Sequence, residues 1–301
     1  MQPILTYVIT TYNKLNYLKI VVNELLNHKE DDEEIIVIDG SSNDGTKVYL
    51  EDLLLNKKID TFVSEPDLGE AHGFNKGMLL SKGKLIKFIS DDDFFDYKLI
   101  KKMKQYMIEN IEIDVVASNL ADFFPYLSNE IHVNSSNEDY LLYKNNSKPF
   151  SFCGLSLMLK KSSLSKIGLF NTKFIAIDSE YTMRITNDKR IKFVWFDNVS
   201  VVRIDNGKDS NFNKFYYQIL EENLRLNLLY GLQTKQILSQ MKIFNNRNNF
   251  LLRLFSKKLR NDYYYHKNNN SKSNVSFNEL FNNSKEWLTN HNKNKQIIKI
   301  L

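Results

Sequence analysis

At 301 residues the chain is long enough for one large domain or two modest ones, and 42% hydrophobic residues, including 20 Phe, supply a real core and exclude global disorder. The net charge of +5 is uneven: residues 214–301 carry 15 basic and 5 acidic side chains, leaving 26 and 31 for residues 1–213. An acidic front and a basic rear suggest two different jobs. The single cysteine, Cys153, excludes an internal disulfide and a multi-cysteine zinc site, and fits a reducing, cytoplasmic setting. The opening MQPILTYVITTYNK lacks the flank and apolar run of a secretory signal, and no run of 18 apolar residues occurs, so no membrane-spanning helix is expected.

In chain order, Leu5 to Ile9 reads as a buried strand, and Leu15, Leu18, Val22 and Leu25 mark one face of a helix. Ile35 to Ile38 is a second strand, ending in DGSSNDGT, followed by a helical stretch over Val48 to Leu55. Ile59 to Val63 is a short strand. Ala71, Phe74 and Met78 lie on one side of the next helix, and Leu85 to Ile89 is a strand. This alternation predicts an α/β fold, a mostly parallel sheet flanked by helices, with ligands at the carboxyl ends of its strands. Residues 97–111 read as helix and Val115 to Ser118 as strand, whereas 119–150 is polar and irregular. Strands are expected at Leu155 to Lys160 and Lys192 to Phe196, with a helix near Glu180 to Thr186 between them. From Asn211 the pattern turns helical. The domain reading is one unit over 1–210, dividing near residue 95, then a helical basic region over 211–301.

Four polar clusters close predicted strands. Thr10, Thr11, Tyr12 and Asn13 offer hydroxyls for a ribose and a ring for a base, and equally a polar turn with a cap. Asp39 can accept a hydrogen bond from a base imide or a ribose hydroxyl, or serve as turn chemistry. Asp91, Asp92 and Asp93 follow LIKFI directly; three adjacent carboxylates repel unless a cation offsets them, and hard oxygen ligands suit Mg²⁺ or Mn²⁺. In an extended segment Asp91 and Asp93 share a side and Asp92 points away. Asp178, with Glu180 two places on, can act as a general base or as a helix cap with first-turn acids.

Taken together and in order, ILTYVITTYNK, EIIVIDGSSNDGT, SEPDLGEAHGFNKGMLLSKGKLIKFISDDD and CGLSLMLKKSSLSKIGLFNTKFIAIDSEYTMRI resemble the inverting family 2 glycosyltransferases of the GT-A, Rossmann-like fold, which make bacterial surface polysaccharides and glycans. The resemblance covers about residues 4–205, and it implies that 1–210 is a catalytic unit with a nucleotide-sugar half to about 95 and an acceptor half beyond. It implies a nucleotide diphosphate sugar donor, by default a UDP-sugar, and a glycan or lipid-linked glycan acceptor in O-antigen- or capsule-type polysaccharide (lipopolysaccharide) synthesis. It further implies donor contacts from Thr10, Thr11, Tyr12, Asn13, Asp39, Asp67, Asn75, Lys76, Asp91 and Asp92, a D-x-D metal motif at Asp91 and Asp93 binding Mg²⁺ or Mn²⁺, and Asp178 as the base. Whether Asp91 or Asp92 pairs with Asp93 is open. Arg203 and Lys208 match a loop that closes over the diphosphate. The basic segment FLLRLFSKKLR, residues 250–260, suits peripheral contact with an anionic membrane surface, or a helical cap with a solvated face.

Two rivals remain. A nucleotidyltransferase making nucleotide sugars would carry a glycine-rich loop where TTYNK stands, and a non-catalytic scaffold would bind only glycan or membrane. No GxxxxGK[ST] motif and no nucleic-acid module occurs, so nucleic acid is not an expected partner.

Overall fold

In the computed structural model, which describes residues 2–126, 128–205, 215–231, 275–293 and 299–300, the front half follows the expected alternation. It runs β1 (Leu5–Thr11), α1 (Leu15–Leu26), β2 (Glu33–Asp39), α2 (Thr46–Leu55), β3 (Thr61–Ser64), α3 (Glu70–Leu80) and β4 (Leu85–Ile89). These four strands pair in parallel in the order β3, β2, β1, β4. Helices cover both faces, so β2 is buried throughout and β1 at all but one position, which explains continuous apolar runs rather than alternation.

Close approach of α3 to the sheet needs glycine. A Cβ on Gly77 would lie 2.1 Å from Val8 Cγ1, and one on Gly73 2.9 Å from Thr10 Cγ2. These contacts set the height of α3 over β1, and hence the position of its first turn over the strand ends. At the opposite end of the sheet, Lys104 of α4 (Tyr97–Glu109) makes ion pairs with Glu30, Asp32 and Glu33, neutralising carboxylates at the start of β2.

The rear half is a mixed continuation. After β5 (Phe94–Phe95) and α4 come β6 (Val115–Phe123), β7 (Ile131–Asn134), α5 (Asn137–Asn146), a 3₁₀ turn at Gly154–Ser156 and β8 (Met158–Lys160). A short helix, α6 (Leu164–Ile167), then α7 (Ile177–Asn187) and β9 (Phe193–Ile204) follow. β8 lies antiparallel between β4 and β6, and β9 pairs parallel with β6. The stretch 119–150, expected to be irregular, therefore holds the end of β6, all of β7 and α5. Its disguise has a cause: the β6–β9 register shifts around Asn119, whose buried amide bonds Asn137, Asp197 and the Ser136 N–H instead of following strand alternation. Likewise β9 continues eight residues past Phe196, across the polar pair Asp197–Asn198.

Beyond 211 the described residues form two helices, α8 (Tyr216–Leu229) and α9 (Phe277–Lys293), and a two-residue strand that the helical expectation did not include. The last helix is part of the main core. Phe281 packs on Phe94 at 5.0 Å and Phe277 on Tyr17 at 4.4 Å between ring centroids. Asn292 bonds Asp96 at 2.7 Å and the Val199 carbonyl at 2.8 Å, and β10 (Lys299–Ile300) pairs antiparallel with β9. Lys208 and the segment 250–260 lie outside the described residues. Among the described residues no helix is long and apolar enough to cross a membrane.

Gly77→Ala should force α3 away from Val8 and lower stability by roughly 1–3 kcal/mol, the usual cost of overpacking a close contact. An unchanged urea midpoint and m-value would show that the helix height is not set there.

Candidate active site

The predicted clusters meet along the carboxyl-terminal edge of the parallel strands. Thr11 pairs with Asp39, and Asp39 with Ser64, so the ends of β1, β2 and β3 are in register. Asp39 is fully buried and accepts from Ser64 Oγ at 2.6 Å and the Ser42 N–H at 3.1 Å. Asn13 adopts φ +53°; its N–H donates to Ser42 Oγ at 2.7 Å, and its Oδ1 accepts from the Asn43 N–H at 2.9 Å. The turns after β1 and β2 are thus stitched together. Above them Tyr12 is 62% exposed, a free ring at the mouth of the cleft. Gly40 keeps that mouth open, because a Cβ there would stand 3.3 Å from both Tyr12 and Asp67. Asp67 in turn accepts from the Gly69 N–H at 2.9 Å.

After β4 the chain bends at Asp91–Asp92 rather than staying extended, and this changes the expected pairing. Asp92 does not point away from Asp91: both reach Lys14, whose Nζ is 3.3 Å from Asp91 Oδ1 and closer still to Asp92 Oδ2. Asp93 turns inward instead, accepting from Ser90 Oγ at 2.5 Å and the Ile204 N–H at 2.8 Å, which ties the end of β4 to the end of β9. Burial first, then the charge of Asp92, pushes Asp93 up to about 7; burial raises Asp91 to about 6, against the opposing pull of Lys14. These are carboxylates short of positive charge. Among the described residues the close acidic trio is Glu30, Asp32 and Glu33, already filled by Lys104 at the far end of the sheet, so the 91–93 run offers a partial oxygen shell and not a closed cage. That fits Mg²⁺ or Mn²⁺, which usually bind one or two carboxylates together with substrate phosphates.

Asp178 opens α7, where the helix dipole favours an acid. Burial raises its carboxyl above the usual range, and the Gly154 N–H, the Cys153 thiol and the charge of Arg203 partly offset this. A Cβ on Gly154 would lie 2.5 Å from Asp178 Oδ1, so only glycine lets the 3₁₀ turn cradle the acid. α7 has no side-chain cap of its own; Glu222 of α8 accepts from the Ile175 N–H at 2.9 Å and the Ala176 N–H at 2.7 Å. Asp178, Ser179, Cys153, Trp195 and Arg203 line a cavity of about 210 Å³. Arg203 is anchored there by Asp122, with Nε at 2.9 Å and Nη2 at 2.7 Å from Oδ1.

Glu70, in the first turn of α3, is solvent-exposed and within electrostatic reach of Lys14, Asp91, Asp92 and Asp178. Partial desolvation, then the charges of Asp178, Asp91 and Asp92, push its carboxyl up against the pull of Lys14.

Other candidates have structural partners. Asn75 is buried, exchanging two hydrogen bonds with the Phe170 backbone, and Lys76 pairs with Glu65 at 2.8 Å. Glu180 holds Arg184 at 2.6 Å, and Arg184 also donates to the carbonyls of Ile167 and Leu169, locking the turn at Gly168, φ +80°. Sequence reasoning missed Lys14, Glu70, Asp122 and Glu222, whose partners lie far along the chain. It also passed over Lys87, although one charge inside LIKFI was visible: fully buried, it donates to the Leu155 carbonyl, and burial lowers it to about 7.

The model for the family described as Glycosyl transferase family 2 matches residues 6–168, just over half of the chain. TuaG of Bacillus subtilis (strain 168), whose name assigns it provisionally to teichuronic acid biosynthesis as a glycosyltransferase, is 25% identical over 109 residues, 36% of this chain and 43% of its own length. The chain spans less than half the length of the curated relatives it matches. The crystal structure of S. aureus TarS 1-349 in complex with UDP-GlcNAc superposes with a TM-score of 0.56 at 17% identity, covering 86% of this chain and 77% of that one. The mannosyltransferase PcManGT from Pyrobaculum calidifontis, in complex with GDP-Man and Mn²⁺, gives 0.55 at 14% identity over 99% and 77%. Both likenesses are of fold.

Proposed function

Because the chain belongs to glycosyl transferase family 2, we propose that it transfers a sugar from a UDP-sugar, with inversion, to a hydroxyl of a glycan or lipid-linked glycan acceptor in surface polysaccharide synthesis. The observation that carries this reading is the placement of Asp39 and Asp91–Asp93 at the carboxyl ends of neighbouring strands, with Asp93 bonded to the Ile204 N–H beside Arg203, which lines one cavity with Asp178. TuaG, provisionally named for teichuronic acid biosynthesis, supports the acceptor class, and TarS with UDP-GlcNAc supports the UDP donor.

In this reading Tyr12 stacks on the base, and Asp39 and Asp67 receive base or ribose donors. Asp93 with Asp91 would hold Mg²⁺ or Mn²⁺, each carboxylate oxygen keeping a lone pair beyond its present bond. When bound, the ion supplies Lewis-acid neutralisation of the leaving diphosphate. Arg203, fixed by Asp122, adds a positive charge on the same side. Asp178 takes the proton from the acceptor hydroxyl as that oxygen attacks the anomeric carbon. A single displacement inverts the carbon and needs no enzyme nucleophile. The cavity beside Asp178 offers the acceptor Ser179 and Trp195 as further contacts.

A thermal-shift series with UDP-GlcNAc and GDP-Man, each with and without Mn²⁺, tests the donor: a UDP-sugar should raise the melting temperature more with the metal. No shift with any nucleotide sugar overturns the reading. Asp178→Asn should keep donor binding while turnover falls ~10²–10⁴-fold. The base must be deprotonated and its carboxyl is raised, so wild-type turnover should decline on acidification from above the ordinary aspartate range. Normal turnover in the variant removes Asp178 from this role. Asp93→Ala should weaken Mn²⁺-dependent UDP binding, read by calorimetry, by at least the roughly 10–100-fold that outer-shell changes cost metal sites.

A further inference from the structure

The ammonium of Lys14 stands where a cation would be wanted. It bridges Asp91 and Asp92, arriving from the turn after β1, 77 residues away in sequence from Asp91. Its side chain is only 27% exposed, and Asp93 and Glu70 also feel its charge. Asp91, which the metal site proposed above shares with Asp93, cannot serve this ammonium and a divalent ion equally well at the same time, because cations a few ångströms apart repel strongly in a poorly hydrated cleft. Lysine is suited to yield: its charge is a point on a flexible four-carbon stem, free to find new acceptors, and it binds phosphate well. Arg203 is not, being held through two nitrogens by Asp122.

We propose that Lys14 is a displaceable resident cation, holding Asp91 and Asp92 until metal and nucleotide diphosphate arrive together and then moving its ammonium onto the diphosphate. This rests on the metal site proposed above. Bare metal on Asp91 and Asp93 must take Asp91 from the ammonium and lie beside it, with Asp92 the carboxylate left to Lys14, so it binds weakly. Metal with a diphosphate gives the ammonium new oxygen acceptors, so each ligand strengthens the other, and by linkage the gain is reciprocal. Lys14 thereby makes occupation of the metal site conditional on the donor.

The test is Mn²⁺ binding to the full chain, followed by electron paramagnetic resonance and calorimetry, with and without UDP. Wild type, Lys14→Met, Lys14→Arg and Asp93→Ala are compared. Lys14→Met should bind bare Mn²⁺ more tightly than wild type and lose most of the enhancement that UDP confers, a change of about 5–150-fold, the usual range for coupled sites. Lys14→Arg keeps the charge and should retain weak bare-metal binding. Lys14→Gln gives a second neutral variant should the Met form fold poorly. Bare-metal affinity in the neutral variants equal to or below wild type overturns the inference while leaving the metal site intact. Wild type that takes no Mn²⁺ even with UDP, or Asp93→Ala that binds it normally, overturns the metal site and this inference with it.

Discussion

Like charges crowded at the end of a buried sheet are the constraint on which this molecule turns. Burial and the charge of Asp92 raise Asp91 and Asp93, and burial raises Asp178, because water screens these acids poorly. What makes the arrangement tolerable is that nearly every acid has a donor or a cation assigned to it. Lys14 meets Asp91 and Asp92; Ser90 and the Ile204 N–H meet Asp93; the Gly154 N–H and the Cys153 thiol meet Asp178. The residual excess of negative charge is what a metal and a diphosphate-bearing ligand would complement.

The scaffold around this edge serves to hold its parts at fixed separations. Gly77 and Gly73 let α3 settle on β1, which sets where Glu70 stands. Asn75 and Arg184 tie α3 and α7 to the turn at 167–170, and Tyr181 stacks on Phe170 at 4.1 Å between centroids. Asn75, expected from the sequence to touch the donor, acts with Arg184 as a rivet for the helices that present the site.

How much was legible follows from the range of the interactions. Strands β1, β2 and β4 and the helices between them could be read because both faces are buried and the apolar pattern is local. The polar residues closing those strands were legible for the same reason: a strand end fixes which edge they share. The bend at Asp91–Asp92 was not, since it depends on Lys14, and the orientation of Asp93 depends on a backbone N–H at position 204. The segment 119–150 hid its strands because Asn119, in the middle of β6, spends its amide on a register shift instead of on the alternation a reader looks for.

The reach of the last helix has a consequence for how the protein is made. Asp96 caps α4 through the Leu99 N–H and is itself bonded by Asn292, a contact spanning 196 residues, while β10 adds the final strand beside β9. A nascent chain leaving the ribosome can assemble the four parallel strands early, because their pairings are nearly sequential. The far side of the sheet stays unfinished until α9 and β10 have been made. Apolar positions such as Phe94 and Phe281 then wait for each other while the residues between them are made. During that interval the half-built edge is a natural client for chaperones.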